Sequence, residues 1–241
     1  MRIIICDNYD EMSKKAAILV ASQVNMNPRS ALGLATGSTP EGMYSILINM
    51  YNNKEVDFSE VTTFNLDEYF PISKSNSQSY DFFMKKHLFS HINVPETNIN
   101  IPNGEACDAE KECEEYEKKI DAFGGIDLQI LGIGQNGHIG FNEPDEFLFS
   151  NTHKTDLTES TISANSRFFA SADEVPKNAL TMGMATILKA KKIVLLASGK
   201  SKHDAISKLV SGKITTSCPA TMLNMHRDVT ILMEEETSKL I

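Results

Sequence analysis

Short apolar runs alternate with amphipathic stretches along almost the whole chain, and this alternation constrains the fold more than any other feature. Residues 2–6, 31–35, 61–66, 126–133, 192–197 and 228–233 read as strands, dense in Ile, Val and Leu. Between them, residues 11–24, 40–51, 79–89, 108–123, 176–189 and 201–210 read as helices, with apolar side chains recurring at helical spacing. Asp10 reads as the cap of the first helix, and residues 219–225 as a short extra one. Residues 142–172 are polar and irregular. Strand–helix alternation of this kind predicts an α/β fold with a largely parallel central sheet.

Composition removes several alternatives. A chain of 241 residues with 41% hydrophobic and 23% charged side chains has the make-up of a soluble globular protein. It shows no repeat or linker, so a single domain over 1–241 is expected. The net charge of −9 argues against nucleic-acid backbones as partners. No apolar run reaches the roughly 18 residues a membrane helix needs. The apolar N-terminal run ends at once in Asp7, too early for a signal peptide. Cys6, Cys107, Cys113 and Cys218 form no CxxC pair, which fits free thiols in a reducing cytoplasm.

In a parallel α/β sheet, ligands bind beyond the carboxyl ends of the strands. Four such points carry unusual polar chemistry. Gly37, Ser38 and Thr39 form a turn before Pro40 that can offer backbone N–H groups to a phosphate; the plainer reading is a capping turn. Asp67 and Glu68 end an apolar strand, where alternation lets one carboxylate face a crevice while the other turns away; a solvated strand end is the alternative. The run Leu131–Pro144 holds His138, with Glu143 five residues on, a natural proton-transfer unit or else a glycine-rich turn. A metal site of His138, Glu143 and Asp67 is disfavoured, because no second His lies near in sequence. Lys202 falls in a helix's first turn, where a bound anion would offset its clash with the helix dipole; an ordinary solvated lysine is the alternative.

These blocks, with Asn165-Ser166-Arg167-Phe168-Phe169 and the stretch 175–183, resemble the glucosamine-6-phosphate deaminase family over nearly the whole chain. The resemblance implies a Rossmann-like three-layer fold and conversion of D-glucosamine 6-phosphate and water to D-fructose 6-phosphate and ammonia. It implies no metal and no organic cofactor. It places the enolising base on Asp67, ring opening on His138 and the carboxylate working with that His on Glu143. Phosphate binding falls on Gly37, Ser38, Thr39, Arg167 and Lys202. The chemistry asks for the same residue types: a shuttle near neutral pKa, a carboxylate base, and N–H donors for the developing C1 oxyanion, for which the backbone at 134–137 is a candidate.

Two departures from the family pattern follow. Some members carry Asp where this chain has Asn136, which cannot ionise, so more of the partnership with His138 falls to Glu143. Longer members have a C-terminal extension and a basic allosteric pocket, and residues 145–149 here lack that pocket's polar and basic character, so hyperbolic kinetics and a monomer or weak homo-oligomer are expected. The nearest alternative is a 6-phosphogluconolactonase. Those enzymes typically continue the His loop differently from Phe141-Asn142-Glu143-Pro144, and tend to carry Arg where Tyr69 follows the paired acids. A sugar-phosphate sensor would need an added basic DNA-binding module.

Overall fold

The structure is a computed structural model and describes residues 1–158, 162 and 174–238. Ten strands lie in this part of the chain: β1 (Arg2–Cys6), β2 (Ala31–Leu34), β3 (Thr62–Asn65), β4 (Asp67–Phe70), β5 (Ile99–Asn100), β6 (Leu128–Gly132), β7 (His153–Asp156), β8 (Asn178–Thr181), β9 (Lys192–Ala197) and β10 (Val229–Glu234). Seven form one all-parallel sheet in the order β1-β10-β9-β6-β2-β3-β5. Its central strands are buried on both faces, which is why they read as nearly continuous apolar runs.

Alternation along each strand divides the core in two. Leu32, Leu34, Leu128, Ile130, Val194 and Leu196 face the helices α1 (Tyr9–Met26), α2 (Glu41–Asn52) and α3 (Tyr80–His87). Ala31, Phe64, Leu131, Leu195 and Ile231 face α4 (Ala109–Ala122), α5 (Met184–Leu188), α6 (His203–Val210) and the short 3-10 segment Pro219–Met225. This is the expected three-layer, Rossmann-like α/β arrangement. Buried aliphatic side chains in such layers contribute about 1.5–3 kcal/mol each.

Connections from β2 lead through β3 to β5 on one side, whereas β6, β9 and β10 build outward on the other. The sheet therefore reverses direction between β2 and β6. A crevice opens at such a reversal, outside the strand ends, and it is where ligands bind in open α/β sheets.

A second, antiparallel sheet, β4-β8-β7, was not expected from the sequence. Asp67 begins β4 of this small sheet rather than ending the apolar strand before it. Leu66 joins the two sheets: its N–H donates to Leu34 O at 3.1 Å, and its carbonyl accepts from Met182 N at 2.8 Å. The helix expected over 176–189 is replaced by β8 and the five-residue α5. Pairing on both edges with β4 and β7 overrides the helical preference of Ala179 and Leu180. Gly183 marks the break, since an added Cβ would lie 2.3 Å from the backbone oxygen of Asn151. Strand β7 likewise lies inside the stretch read as irregular. The cap of α1 is Asn8, whose side chain accepts from Glu11 N, and not Asp10.

Candidate active site

Four adjacent strands in the middle of the main sheet, β9, β6, β2 and β3, run parallel, so their carboxyl ends share one edge. The four polar segments follow these strands in turn. The turn 36–39 follows β2 and the His138 loop follows β6, on either side of the reversal. Asp67 follows β3 across Leu66, and Lys202 follows β9. Neighbouring strands lie about 4.8 Å apart, so the four segments follow one another along this edge.

At the β2 end, Gly37 takes φ +93°, a left-handed conformation suited to glycine, and swings the chain into a turn ahead of Pro40. Pro40 caps α2 through its backbone alone. The N–H groups of Gly37, Ser38 and Thr39 donate to no partner among the described residues. Such free donors at a helix start suit an anion. At the β9 end, Gly199 at φ +89° turns the chain into a 3-10 segment, Lys200–Lys202, so Lys202 precedes α6 rather than lying within it. Burial lowers the Lys202 pKa, so a nearby anion would favour its charged form. Arg167 lies outside the described residues.

Asp67 is 6% exposed. Burial, with the charge of Glu68 adding to it, pushes its pKa up to about 8. Glu68 points the other way. Its carboxylate accepts three backbone N–H groups, from Tyr69, Tyr80 and Asp81, each at 2.9 Å, and so ties the first turn of α3 to β4. Burial raises Glu68 to about 7, with those three donors holding it down. The charge of Glu68 adds to the upward push on Asp67. Tyr69, Tyr80 and Phe141 pack beside this pair, with Tyr80 and Phe141 stacked at 6.2 Å.

The His138 loop closes on itself. Gly134 N donates to His138 O at 2.9 Å and Gly137 N to Gly134 O at 3.1 Å. Those two amides are thus spent inside the turn, which removes them as the oxyanion donors expected from the sequence. The imidazole lies over Gly134, where an added Cβ would come 2.3 Å from the ring. His138 Nδ1 lies 3.3 Å from Glu143 Oε1, a close approach without hydrogen-bond alignment. Asn136 bridges the unit: its Nδ2 donates to Glu143 Oε2 at 2.7 Å, and its Oδ1 accepts from His138 N at 3.2 Å.

The loop then docks on the strand that pairs with Asp67. Phe141 N donates to Thr181 Oγ1 at 3.1 Å, and Thr181 is the register partner of Asp67. Asn142 Nδ2 donates to Met182 O at 2.8 Å. At Gly140, φ is +58°, and an added Cβ would lie 3.3 Å from Asp67 Oδ2. Asp67 thus lies against the turn at Gly140, two residues after His138 and three before Glu143. Sequence reading missed Thr181, Asn142 and Tyr80. They are ordinary polar residues whose place in the site comes from the small sheet. Among the described residues, no cluster of three or more His, Cys, Asp or Glu is gathered for a metal, so Asp67, His138 and Glu143 do not form the three-ligand set weighed from the sequence. A hollow of about 430 Å³ lined by Asn25, Asp57 and Asn93 lies away from this edge, beside the segment entering β3.

Residues 7–232 match the family of glucosamine-6-phosphate isomerases and 6-phosphogluconolactonases. This chain belongs to that family. Within it, the chain is 58% identical over 241 residues to a glucosamine-6-phosphate deaminase of Thermoanaerobacter sp. (strain X514), covering 100% of this chain and 95% of the relative. It is 57% identical over 238 residues to one from Clostridium botulinum (strain Kyoto / Type A2), covering 99% and 98%. The solved structure of a monomeric glucosamine-6-phosphate deaminase superposes with a TM-score of 0.97 at 47% identity, covering both chains completely. A 6-phosphogluconolactonase from Trypanosoma cruzi superposes at 0.78 with 20% identity, covering 100% and 96%, a likeness of fold. Among the described residues, no helix of this family member is long and apolar enough to cross a membrane.

Proposed function

We infer that this chain is an aldose–ketose isomerising deaminase, converting D-glucosamine 6-phosphate and water to D-fructose 6-phosphate and ammonia in amino-sugar catabolism. Identity of 58% over the full length to a deaminase carries the reading. The packing of Asp67 against Gly140, in the loop that carries His138 and Glu143, supports it physically.

His138, paired with Glu143, takes the proton of the C1 hydroxyl and returns one to the ring oxygen, opening the sugar. Ionised Asp67 removes the C2 proton while the C1 oxygen takes up a proton from solvent, giving an enolamine, and Asp67 then delivers its proton to C1. The resulting C2 iminium adds water, returns a proton to solvent and expels ammonia, leaving the ketose. Asn136 holds the Glu143 carboxylate toward the imidazole. The phosphate is held by the N–H groups and hydroxyls of the turn 37–39, with Lys202 and Arg167 as cations, and its binding energy fixes the reacting carbons. The unit is one domain over 1–241 acting in the cytoplasm as a monomer or weak homo-oligomer, without nucleic-acid or membrane partners.

A coupled ammonia assay on D-glucosamine 6-phosphate, run beside 6-phosphogluconolactone hydrolysis, tests the reading. Ammonia release lost in Asp67→Asn is the expected result. Lactone turnover without ammonia would overturn it.

A further inference from the structure

Tyr9 lies in no motif of the site, and nothing in its sequence surroundings marks it. It opens α1, the helix after the edge strand β1, and reaches across to the turn between β2 and α2. Its hydroxyl lies 2.9 Å from Ser38 O, 3.1 Å from Thr39 O and 2.8 Å from Gly42 N. A phenol has one hydrogen to give and lone pairs to receive. The hydroxyl therefore shares its hydrogen between the two carbonyls and accepts the Gly42 N–H, one of the donors a helix start leaves unpaired.

The consequence follows from peptide geometry. In a planar trans peptide the C=O and the N–H point to opposite sides. Holding Ser38 O toward Tyr9 therefore turns the Thr39 N–H away from α1. That N–H and those of Gly37 and Ser38 donate to no partner among the described residues. The ring is fixed as well as the hydroxyl. An added Cβ at Gly42 would lie 2.8 Å from Tyr9 Cε1 and 2.5 Å from Ser13 Oγ, so only glycine lets α1 and α2 approach this closely.

We infer that Tyr9 is a positioning residue for anion binding, holding the turn 37–39 with its amides aimed outward before any ligand arrives. This rests on the reading of that turn as the phosphate site. Preorganisation of this kind appears in affinity, because an unheld turn must be ordered at the moment of binding. Tyr9 touches neither the reacting carbons nor Asp67 or His138 in this scheme, so it acts on binding and not on the chemical step.

The test uses Tyr9→Phe, which keeps the ring and its packing and removes only the hydroxyl. Inorganic phosphate, as a competitive inhibitor, is the probe, with Thr39→Ala as a control on the turn itself. The expected result is a rise of about 3–10-fold in both KM for D-glucosamine 6-phosphate and Ki for phosphate, the loss of one or two hydrogen bonds' worth of net stabilisation. The turnover number stays within about two-fold, and the melting temperature within about 4 °C. Phosphate inhibiting wild type and Tyr9→Phe equally would overturn the inference while leaving the turn as the phosphate site. A fall in turnover number and melting temperature with Ki unchanged would assign Tyr9 a structural role and overturn it too. Phosphate failing to compete with wild type, together with an unchanged KM in Thr39→Ala, would remove the phosphate reading and this inference with it.

Discussion

The side-chain amide of Asn136 donates to Glu143 Oε2 at 2.7 Å, leaving the other oxygen of that carboxylate 3.3 Å from His138 Nδ1. The amide's orientation follows from its partners, because a carboxylate only accepts and a backbone N–H only donates. An asparagine here gives Glu143 a donor, where an aspartate would set two carboxylates against each other.

Glu143→Gln tests this wiring directly. A glutamine cannot offer one acceptor to Asn136 and another to His138. The turnover number is expected to fall about 10²–10³-fold, within the range for losing a proton-transfer partner. Asn136→Asp is expected to lower it by a smaller factor. Steady-state kinetics on D-glucosamine 6-phosphate measure both, and near-normal turnover in Glu143→Gln would refute the assignment.

Gly134 is the platform under the imidazole. Gly134→Ala is expected to push the ring off its position, since the new methyl would meet it at 2.3 Å. The turnover number should fall at least tenfold, while KM changes little because the phosphate turn lies on another strand. Unchanged turnover would mean that His138 need not lie there.

Asp67 and Glu68 predict a pH dependence. Asp67 must be ionised to act as a base, and burial holds its pKa up to about 8. The kcat/KM of the wild type is therefore expected to climb with pH up to that region. Glu68→Gln removes the neighbouring charge and should move this acid limb to lower pH. A limb that stays in place would separate Glu68 from the basicity of Asp67. The same substitution leaves one of three buried N–H groups without an acceptor and should cost about 1–3 kcal/mol of stability.

Stability should follow the same titration. The Asp67 pKa is raised on folding, so its favourable share is complete below the ordinary carboxylate range near ~4 and is lost as pH rises to about 8. Asp67→Asn cannot titrate. Its melting temperature is expected to exceed that of the wild type at pH 8.5, with the gap closing toward pH 4. Parallel melting curves at both pH values would contradict the buried-acid assignment.

The parallel sheet was legible because its strands carry their own signal. Residues 192–197 alternate their burial across two helical layers, and any strand so enclosed reads as an apolar run. The motif residues were legible for a related reason: Gly37, Asp67, His138 and Glu143 are costly residue types at strand ends, where packing alone does not ask for them. The small sheet was not legible. β7 is His-Lys-Thr-Asp, with alternate residues exposed, and β8 contains Ala and Leu that equally suit a helix. Both become strands only by pairing with each other and with β4, a non-local reward that short segments do not announce. Thr181 and Asn142 were missed for that reason.

The single residue between the sheets has a dynamic consequence. Leu66 gives its N–H to one sheet and its carbonyl to the other, so the strand leading into the turn 36–39 and the strand bearing Asp67 are joined through one residue. Sliding one layer past the other must break a pair at this joint. In deuterium-exchange measurements the Leu66 and Met182 amides should rank with the slowest of the chain, opening only with global unfolding and not with local fraying of the small sheet.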